Sequence, residues 1–181
     1  MTADAPPLPP AAAALLAAVD APPRLTAHLG LVHEVAVTIL DWWDGHGVPV
    51  DREAVLFGAA THDIGKTVHR EELSVRGSLH ERAGYELLLA RGVPERLARF
   101  AGTHGSWGAT GATVEDLLVS LADKAWKDSR VRDLEDLVAA RLAKASGREP
   151  WEVFLALDDL LAGIGADAPR RLAVQASHPV V

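Results

Sequence analysis

The chain has 181 residues, of which 49% are hydrophobic and 24% are charged, so it is long enough to form one globular domain with a sizeable core. The 18 Lys and Arg residues against 25 Asp and Glu residues give a formal net charge of −7. This charge argues against duplex nucleic acid as a partner, because proteins that bind it present a basic face. The absence of cysteine excludes disulfides, iron–sulfur clusters and thiolate zinc sites. Any metal must therefore be held by Asp, Glu or the eight His residues.

The sequence also argues against a membrane protein. No stretch approaches the roughly 20 apolar residues that span a bilayer. The apolar run over 11–19 is short, and no Lys or Arg precedes Arg24, whereas a signal peptide begins with a basic region. We therefore expect a cytoplasmic protein with no membrane partner, and its oligomeric state stays open.

Hydrophobic spacing predicts an all-α fold, a compact bundle of about seven or eight helices. Four prolines among the first ten residues favour an extended or disordered start, before a short helix over 11–19. Cap residues and glycines then delimit the longer helices, and we expect Ser78 to cap one of them. The predicted helices cover 24–43, 51–62, 78–91, 94–103, 113–126, 134–145 and 150–161. After Gly163 the pattern is weak, and the glycine-rich segment 105–113 is a candidate lid.

Several titratable residues stand out as candidate metal ligands. His62 and Asp63 are adjacent at the end of an apolar helix, so both side chains can turn toward one point. Asp123 has apolar neighbours, and a buried carboxylate is costly unless it is paired or metal-bound. Four imidazoles and two carboxylates would suit one or two divalent ions. The candidates are His33, His62, Asp63, His80, His104 and Asp123.

The predicted helix over 24–43 contains two histidines. His33 aligns with Leu29, Ala36 and Leu40, so we expect it to face inward. His28 lies five residues earlier, about 140° around the helix, and cannot share that face. We therefore expect His28 to be structural or exposed and His33 to be the ligand.

These residues resemble the signature of the HD-domain superfamily of metal-dependent phosphohydrolases. That signature is a helical His, a His-Asp pair and a distant Asp, which correspond here to His33, His62–Asp63 and Asp123. The segment AATHDIGK over 59–66 is similar to the central motif, and the interval of 29 residues from His33 to His62 resembles the usual one. The similarity covers about 24–145. The family fold is an all-α bundle, in agreement with the helical pattern.

The resemblance implies a two-metal site. One ion would be held by the four residues of the signature, and Asp63 would bridge to a second ion held by His80 and His104, as in subgroups with extra histidines. Two ions about 3.5–4 Å apart can activate water and clamp a phosphate. The implied cofactor is therefore a divalent metal, with two ions such as Fe or Mn. Asp63 and Lys66 are assigned to catalysis. Substrate binding is assigned to Lys66, Lys124, Lys127 and Trp107.

The implied function is hydrolysis of a small phosphoester, a nucleotide or nucleotide-like mono- or diester. The lack of a GYP motif after the His-Asp pair disfavours a cyclic-di-GMP phosphodiesterase of that type. Two alternatives stay open: a mixed-valent di-iron oxygenase of the HD fold, and a non-catalytic HD-fold sensor or interaction domain. We divide the chain into a proline- and alanine-rich segment over 1–21, an HD-type helical metal-binding domain over 22–166, and a tail over 167–181.

Overall fold

The computed structural model describes residues 6–180, and this portion of the chain forms nine α-helices and no strand. The all-α prediction is confirmed, with a helix count slightly above the predicted seven or eight. Two short 3-10 helices, Ile64–Thr67 and Arg70–Leu73, lie between the third and fourth α-helices. The α-helices are α1 (Pro10–Ala18), α2 (Pro23–Asp44), α3 (Arg52–Thr61), α4 (Leu79–Ala90), α5 (Glu95–Thr103), α6 (Val114–Ala125), α7 (Arg132–Ser146), α8 (Pro150–Ala166) and α9 (Ala168–Ala176).

Helix α2 lies between two hydrophobic cores and contributes to both. Its C-terminal half, from Leu31 onward, packs in the larger core with α3, α6, α7 and α8. Leu25 and Leu29 of its N-terminal half pack in a smaller core with α1, α4 and α5. Because both sides of α2 are covered, apolar and polar side chains around much of its circumference are buried. His28 and His33 are both among them.

The helix starts follow the sequence signals at two positions and depart from them at a third. Asp51 accepts a hydrogen bond from the Ala54 amide at 3.0 Å. Thr113 and Asp116 form a capping box at the start of α6. The expectation that Ser78 caps α4 is wrong, because its side chain makes no capping hydrogen bond. The carboxylate of Glu72 takes that role from outside the helix.

The two ends of the described chain pack against the bundle. Residues 1–5 lie outside the described part, so the predicted extended start can be compared only over 6–9, which have no regular secondary structure. The buried residues Ala12 and Leu16 hold α1 on the two neighbouring clusters. At the other end, α9 was not predicted. Arg171 is buried there, and its guanidinium donates to the backbone oxygens of Trp126, at 2.7 Å, and Ile164.

Among the helices formed by residues 6–180, we find none with the length and apolar character needed to cross a membrane.

Candidate metal centre

The ends of α3 and α5 present two histidines in the same way. His62 follows Thr61 as the C-cap of α3, and its Nδ1 atom donates a hydrogen bond of 3.0 Å to the Ala59 oxygen. His104 is the C-cap of α5, and its Nδ1 atom lies 3.1 Å from the Ala101 oxygen. A carbonyl oxygen only accepts, so each ring carries a proton on Nδ1, and in the neutral ring Nε2 is left as a lone-pair donor. The two rings are 4.9 Å apart between centroids.

Asp63 lies at the centre of this cluster, and its two oxygens face different partners. Oδ2 is 3.2 Å from His28 Nε2 and 3.7 Å from His62 Nε2. Oδ1 is 3.0 Å from His80 Nε2 and 3.6 Å from His104 Nε2. The carboxylate therefore stands between two groups of imidazoles. Each group, taken with Asp63, has its ligand atoms close enough to hold one metal ion.

The structure places His28, and not His33, in this cluster. His28 is buried, and its Nε2 atom lies 3.9 Å from Asp123 Oδ1 as well as beside Asp63. His28 is therefore not exposed, and it, rather than His33, is the α2 histidine that lies beside the two aspartates, whereas the role of either residue as a metal ligand stays a prediction. The two histidines do lie on different sides of α2, as expected, but both sides are buried. His33 is enclosed too, and its Nδ1 atom has no hydrogen-bond partner among residues 6–180.

Asp123 closes the side of the cluster next to His28. It lies in the last turn of α6, and its Oδ1 atom is 3.4 Å from His62 Nε2. Its Oδ2 atom accepts a hydrogen bond of 2.6 Å from Lys124. Asp123 thus lies where the sequence analysis expected it.

His80 lies in the first turn of α4 and is held by a carboxylate that the sequence analysis missed. The Nδ1 atom of His80 lies 2.5 Å from Glu72 Oε2. No local pattern indicated this pair, because the two residues meet only after the chain turns between 73 and 78. Gly65 of the HDIGK motif allows α4 to start here, since a Cβ on Gly65 would lie 1.9 Å from the His80 oxygen.

The charges of the cluster keep its carboxylates ionised. Burial alone would raise the pKa of Asp63, but the imidazoles of His62, His28 and His80 hold it well below its usual value. The pKa of Asp123 is likewise lowered well below its usual value against the effect of burial, chiefly by His62 and then by Lys124. Ionised carboxylate oxygens are the form that binds divalent cations.

The imidazoles respond to the same environment in two directions. Burial lowers the pKa of His28 and lowers that of His104 to about 4, so both rings favour the neutral, ligating form. For His62 and His80 the neighbouring carboxylates outweigh burial and raise the pKa. A cation that binds here therefore competes with protons at those two rings.

A cleft of about 1080 Å³ opens over the cluster, and basic side chains line it. Lys66 donates to Asp63 Oδ2 at 2.5 Å, so two of the predicted site residues are in direct contact. Lys124 lies over the ring of Trp107, 5.6 Å from its centroid. Lys127 lines the same cleft and is exposed. The roles assigned to these four side chains stay predictions, as does the lid expected over 105–113.

A family model described as "HD domain" matches residues 27–125. This match spans more than half of the chain. The chain belongs to the HD-domain family. Members of this family are typically metal-dependent hydrolases. The matched range contains every histidine and aspartate of the cluster, from His28 to Asp123.

One curated relative of this HD domain is a tRNA (cytidine(56)-2'-O)-methyltransferase of Picrophilus torridus, which is 26% identical over 139 residues. The aligned region is 68% of this chain but 38% of the relative, so the chain spans about two fifths of that protein's length. No solved structure matches the chain.

The donor set of the HD domain fits divalent metal ions. The Nε2 atoms of His28, His62 and His80 are buried and have no hydrogen-bond partner among residues 6–180. Such atoms are costly in a protein interior unless something binds them. Imidazole nitrogens grouped around ionised carboxylates are ligands for ions such as Zn, Mn, Fe or Ni, and they leave the identity of the metal open.

Proposed function

We propose that this protein is a metal-dependent phosphohydrolase that acts on a small phosphoester, a nucleotide or nucleotide-like mono- or diester. The observation that carries the proposal is the convergence of the Nε2 atoms of His28, His62 and His80 on Asp63 beneath a cleft lined by lysines. Family membership supports the same reaction class, since HD domains are typically metal-dependent hydrolases.

Different residues would hold the metal ions and the substrate. His28, His62 and Asp123 would hold one ion, His80 and His104 would hold a second, and Asp63 would contribute to both sites. Divalent ions in such a site supply Lewis acidity at a phosphoryl oxygen and lower the pKa of water.

Two half-buried lysines of the cleft, Lys66 and Lys124, favour an anionic substrate. Lys66 and Lys124 each touch a carboxylate of the cluster and also line the cleft. Their ammonium groups can move from these carboxylates to the oxygens of an entering phosphate, where they offset the negative charge that remains on the phosphoryl group. Asp63 lies between the two groups of imidazoles, and it would fix the position at which the phosphoryl group reacts, beneath the two lysines.

The dimensions of the cleft suit a small organic phosphate better than a polymer. A volume of about 1080 Å³ is just above the roughly 300–1,000 Å³ that is usual for small-molecule pockets. Trp107 offers an aromatic face at the cleft on which a planar base could stack, next to Lys124. The net charge of −7 argues against duplex nucleic acid as a partner. The methyl transfer in the name of the Picrophilus relative is not assigned to this chain, which matches 38% of that protein.

The proposal is tested by loading chelator-stripped protein with Mn²⁺ or Fe²⁺ and measuring phosphate release from a panel of phosphoesters. The panel contains aryl phosphomonoesters, aryl phosphodiesters, nucleoside monophosphates and cyclic nucleotides. We expect metal-dependent turnover of at least one substrate and its loss in Asp63→Asn. The matched control is Asp159→Asn, an exposed carboxylate on α8 that should keep full activity.

Two results would contradict the proposal and point to the alternatives. Consumption of O₂ by iron-loaded protein without phosphate release would assign the centre to an HD-fold oxygenase. Stable metal binding without turnover of any panel member, and without O₂ uptake, would favour a sensor or interaction domain. Both outcomes leave the family and the metal centre in place.

A further inference from the structure

Glu72 is a buried carboxylate that contacts the His80 ring on the side away from Asp63. Its Oε2 atom lies 2.5 Å from His80 Nδ1 and accepts the His80 amide at 3.0 Å. Its Oε1 atom accepts the Leu79 amide, also at 3.0 Å. Three donors thus converge on one side chain that lies in a 3-10 helix, outside the helix it caps. Neither the HD motif nor the chemistry proposed above uses this residue.

His80 is held differently from the other histidines of the centre. The Nδ1 atoms of His62 and His104 donate to backbone carbonyls of their own helices. The Nδ1 atom of His80 instead faces a full negative charge. A carboxylate that accepts from the far nitrogen of an imidazole fixes the ring orientation and makes the near nitrogen a stronger ligand. His80 Nε2 is that near nitrogen, 3.0 Å from Asp63 Oδ1.

The local backbone is built to bring Glu72 this close. A Cβ on Gly77 would lie 2.0 Å from Glu72 Oε1, so only glycine leaves room for the carboxylate at that position. The segment between Leu73 and Ser78 therefore wraps around the side chain of Glu72. The hydrogen bonds from the Leu79 and His80 amides are sufficient to cap α4. The contact of Glu72 with the His80 ring is therefore not needed for capping.

We propose that Glu72 is a positioning residue for the metal ion on the His80 side of the centre, and that it strengthens that ion's binding selectively over the ion on the His28 side. The inference rests on the metal centre and not on phosphoester hydrolysis. It adds a second carboxylate to the half of the centre formed by Asp63, His80 and His104. Glu72 acts through the imidazole and does not contact the ion.

The test is a titration of chelator-stripped protein with Mn²⁺, in which calorimetry gives the number of ions bound and the dissociation constant of each. We expect Glu72→Gln to weaken one of the two ions about 10-fold and Glu72→Ala up to about 100-fold, with the other ion unchanged. Glu71→Gln is the matched control, because Glu71 is exposed on the same 3-10 turn. It should leave both constants unchanged.

A double variant separates positioning from a general loss of structure. In the His80→Ala background the ion on that side is already weakened, so adding Glu72→Gln should not change the remaining ion. Thermal unfolding of the metal-free variants reports the contribution of Glu72 to folding. If Glu72→Ala fails to fold, Glu72→Gln decides, because its amide oxygen can still accept from His80.

Equal weakening of both ions, or wild-type binding of both in Glu72→Gln, would overturn the inference. A wild-type protein that binds neither Mn²⁺ nor Fe²⁺ would overturn it together with the proposed function. A protein that shows the selective effect but hydrolyses no phosphoester would leave the inference intact and remove only the proposed function.

Discussion

The two halves of the metal centre share Asp63 but are built from different kinds of structure. The first half, formed by His28, His62 and Asp123, takes two of its side chains from helices α2 and α6, which both pack in the larger core. The second half, formed by His80 and His104, lies at a helix start and a helix end. Besides Asp63, this half is contacted by the carboxylate of Glu72, which lies in a 3-10 helix. Core packing of α2 and α6 therefore fixes two residues of the first half, whereas local hydrogen bonds fix both histidines of the second half.

Each half of the centre contains one histidine at the end of a helix, and these two histidines are held by the same local arrangement. The sequences AATH over 59–62 and AGTH over 101–104 place each Thr hydroxyl on a carbonyl of the preceding turn and each His Nδ1 on the helix backbone. The next residue differs, Asp63 after the first and Gly105 after the second. The half that carries Asp63 supplies the shared ligand, and the other half depends on it.

Replacing Asp63 should have the largest effect, because it removes the one residue common to both halves. We expect Asp63→Asn to lose both ions and to reduce phosphohydrolase activity to background. Elemental analysis of gently purified protein measures this directly, with about two metal ions per wild-type chain and a sharp fall in the variant. Retention of two ions by Asp63→Asn would show that the halves bind independently.

Single histidine variants should affect one half of the metal centre at a time. His28→Ala and His80→Ala each remove one ligand from one half, so we expect each to reduce the metal content to about one ion per chain. Bound metal stabilises the folded state by about 2.7 kcal/mol at a free concentration of 100 times the dissociation constant. Addition of a chelator should therefore lower the melting temperature of wild type more than that of either variant.

His33→Leu is the control for His28→Ala, because both residues are buried histidines on α2. It should keep the wild-type metal content. Loss of an ion in His33→Leu, with retention of both in His28→Ala, would restore the assignment made from the sequence. Differential scanning fluorimetry with and without chelator confirms that each variant is folded.

The helices were predictable because their signals are local. The capping residues Asp51 and Thr113 and the apolar spacing of α2 set these elements close to their observed bounds. Helix α9 was missed for a physical reason. Arg171 anchors it to the carbonyls of Trp126 and Ile164, and a buried arginine that bonds to backbone atoms leaves no apolar periodicity in the sequence.

The site was predictable to the extent that its residues lie in one motif or at helix ends. The HDIGK segment led to His62 and Asp63, and the structure brings Asp123 beside them. The choice between His28 and His33 required knowledge of what covers each side of α2. Periodicity shows that a side chain faces inward but does not show which of two buried sides faces the site.

Substitution of the cleft lysines tests whether a side chain next to the first half of the metal centre contacts the substrate. Lys124 contacts Asp123 and faces Trp107, whereas Lys127 is exposed on the rim of the same cleft. We expect Lys124→Met to lower kcat/KM by about 10-fold or more, as removal of a charged group near the phosphate would. Lys127→Met should change it less. Equal losses in both variants would indicate a general field effect of the cleft rather than a contact, and steady-state kinetics at two salt concentrations distinguishes them.

The smallest expected effect concerns His33, a buried histidine that lies outside the centre. Burial lowers the pKa of His33 below its usual value of 6.5. The unfolded chain therefore takes up this proton at a higher pH than the folded chain does, so below about pH 6.5 protonation favours unfolding. This contribution to instability grows as the pH falls toward the folded pKa and is absent at neutral pH.

Replacing His33 with leucine removes that proton and also an unpartnered buried nitrogen. At pH 7.5 the free energies of unfolding of metal-free wild type and His33→Leu should agree within about 1 kcal/mol. Below pH 6.5 the variant should become the more stable of the two, as urea titrations at several pH values would show. Parallel pH profiles would mean that His33 titrates alike in the folded and unfolded states. Since the ligand histidines are present in both proteins, the difference between the profiles reports His33 alone.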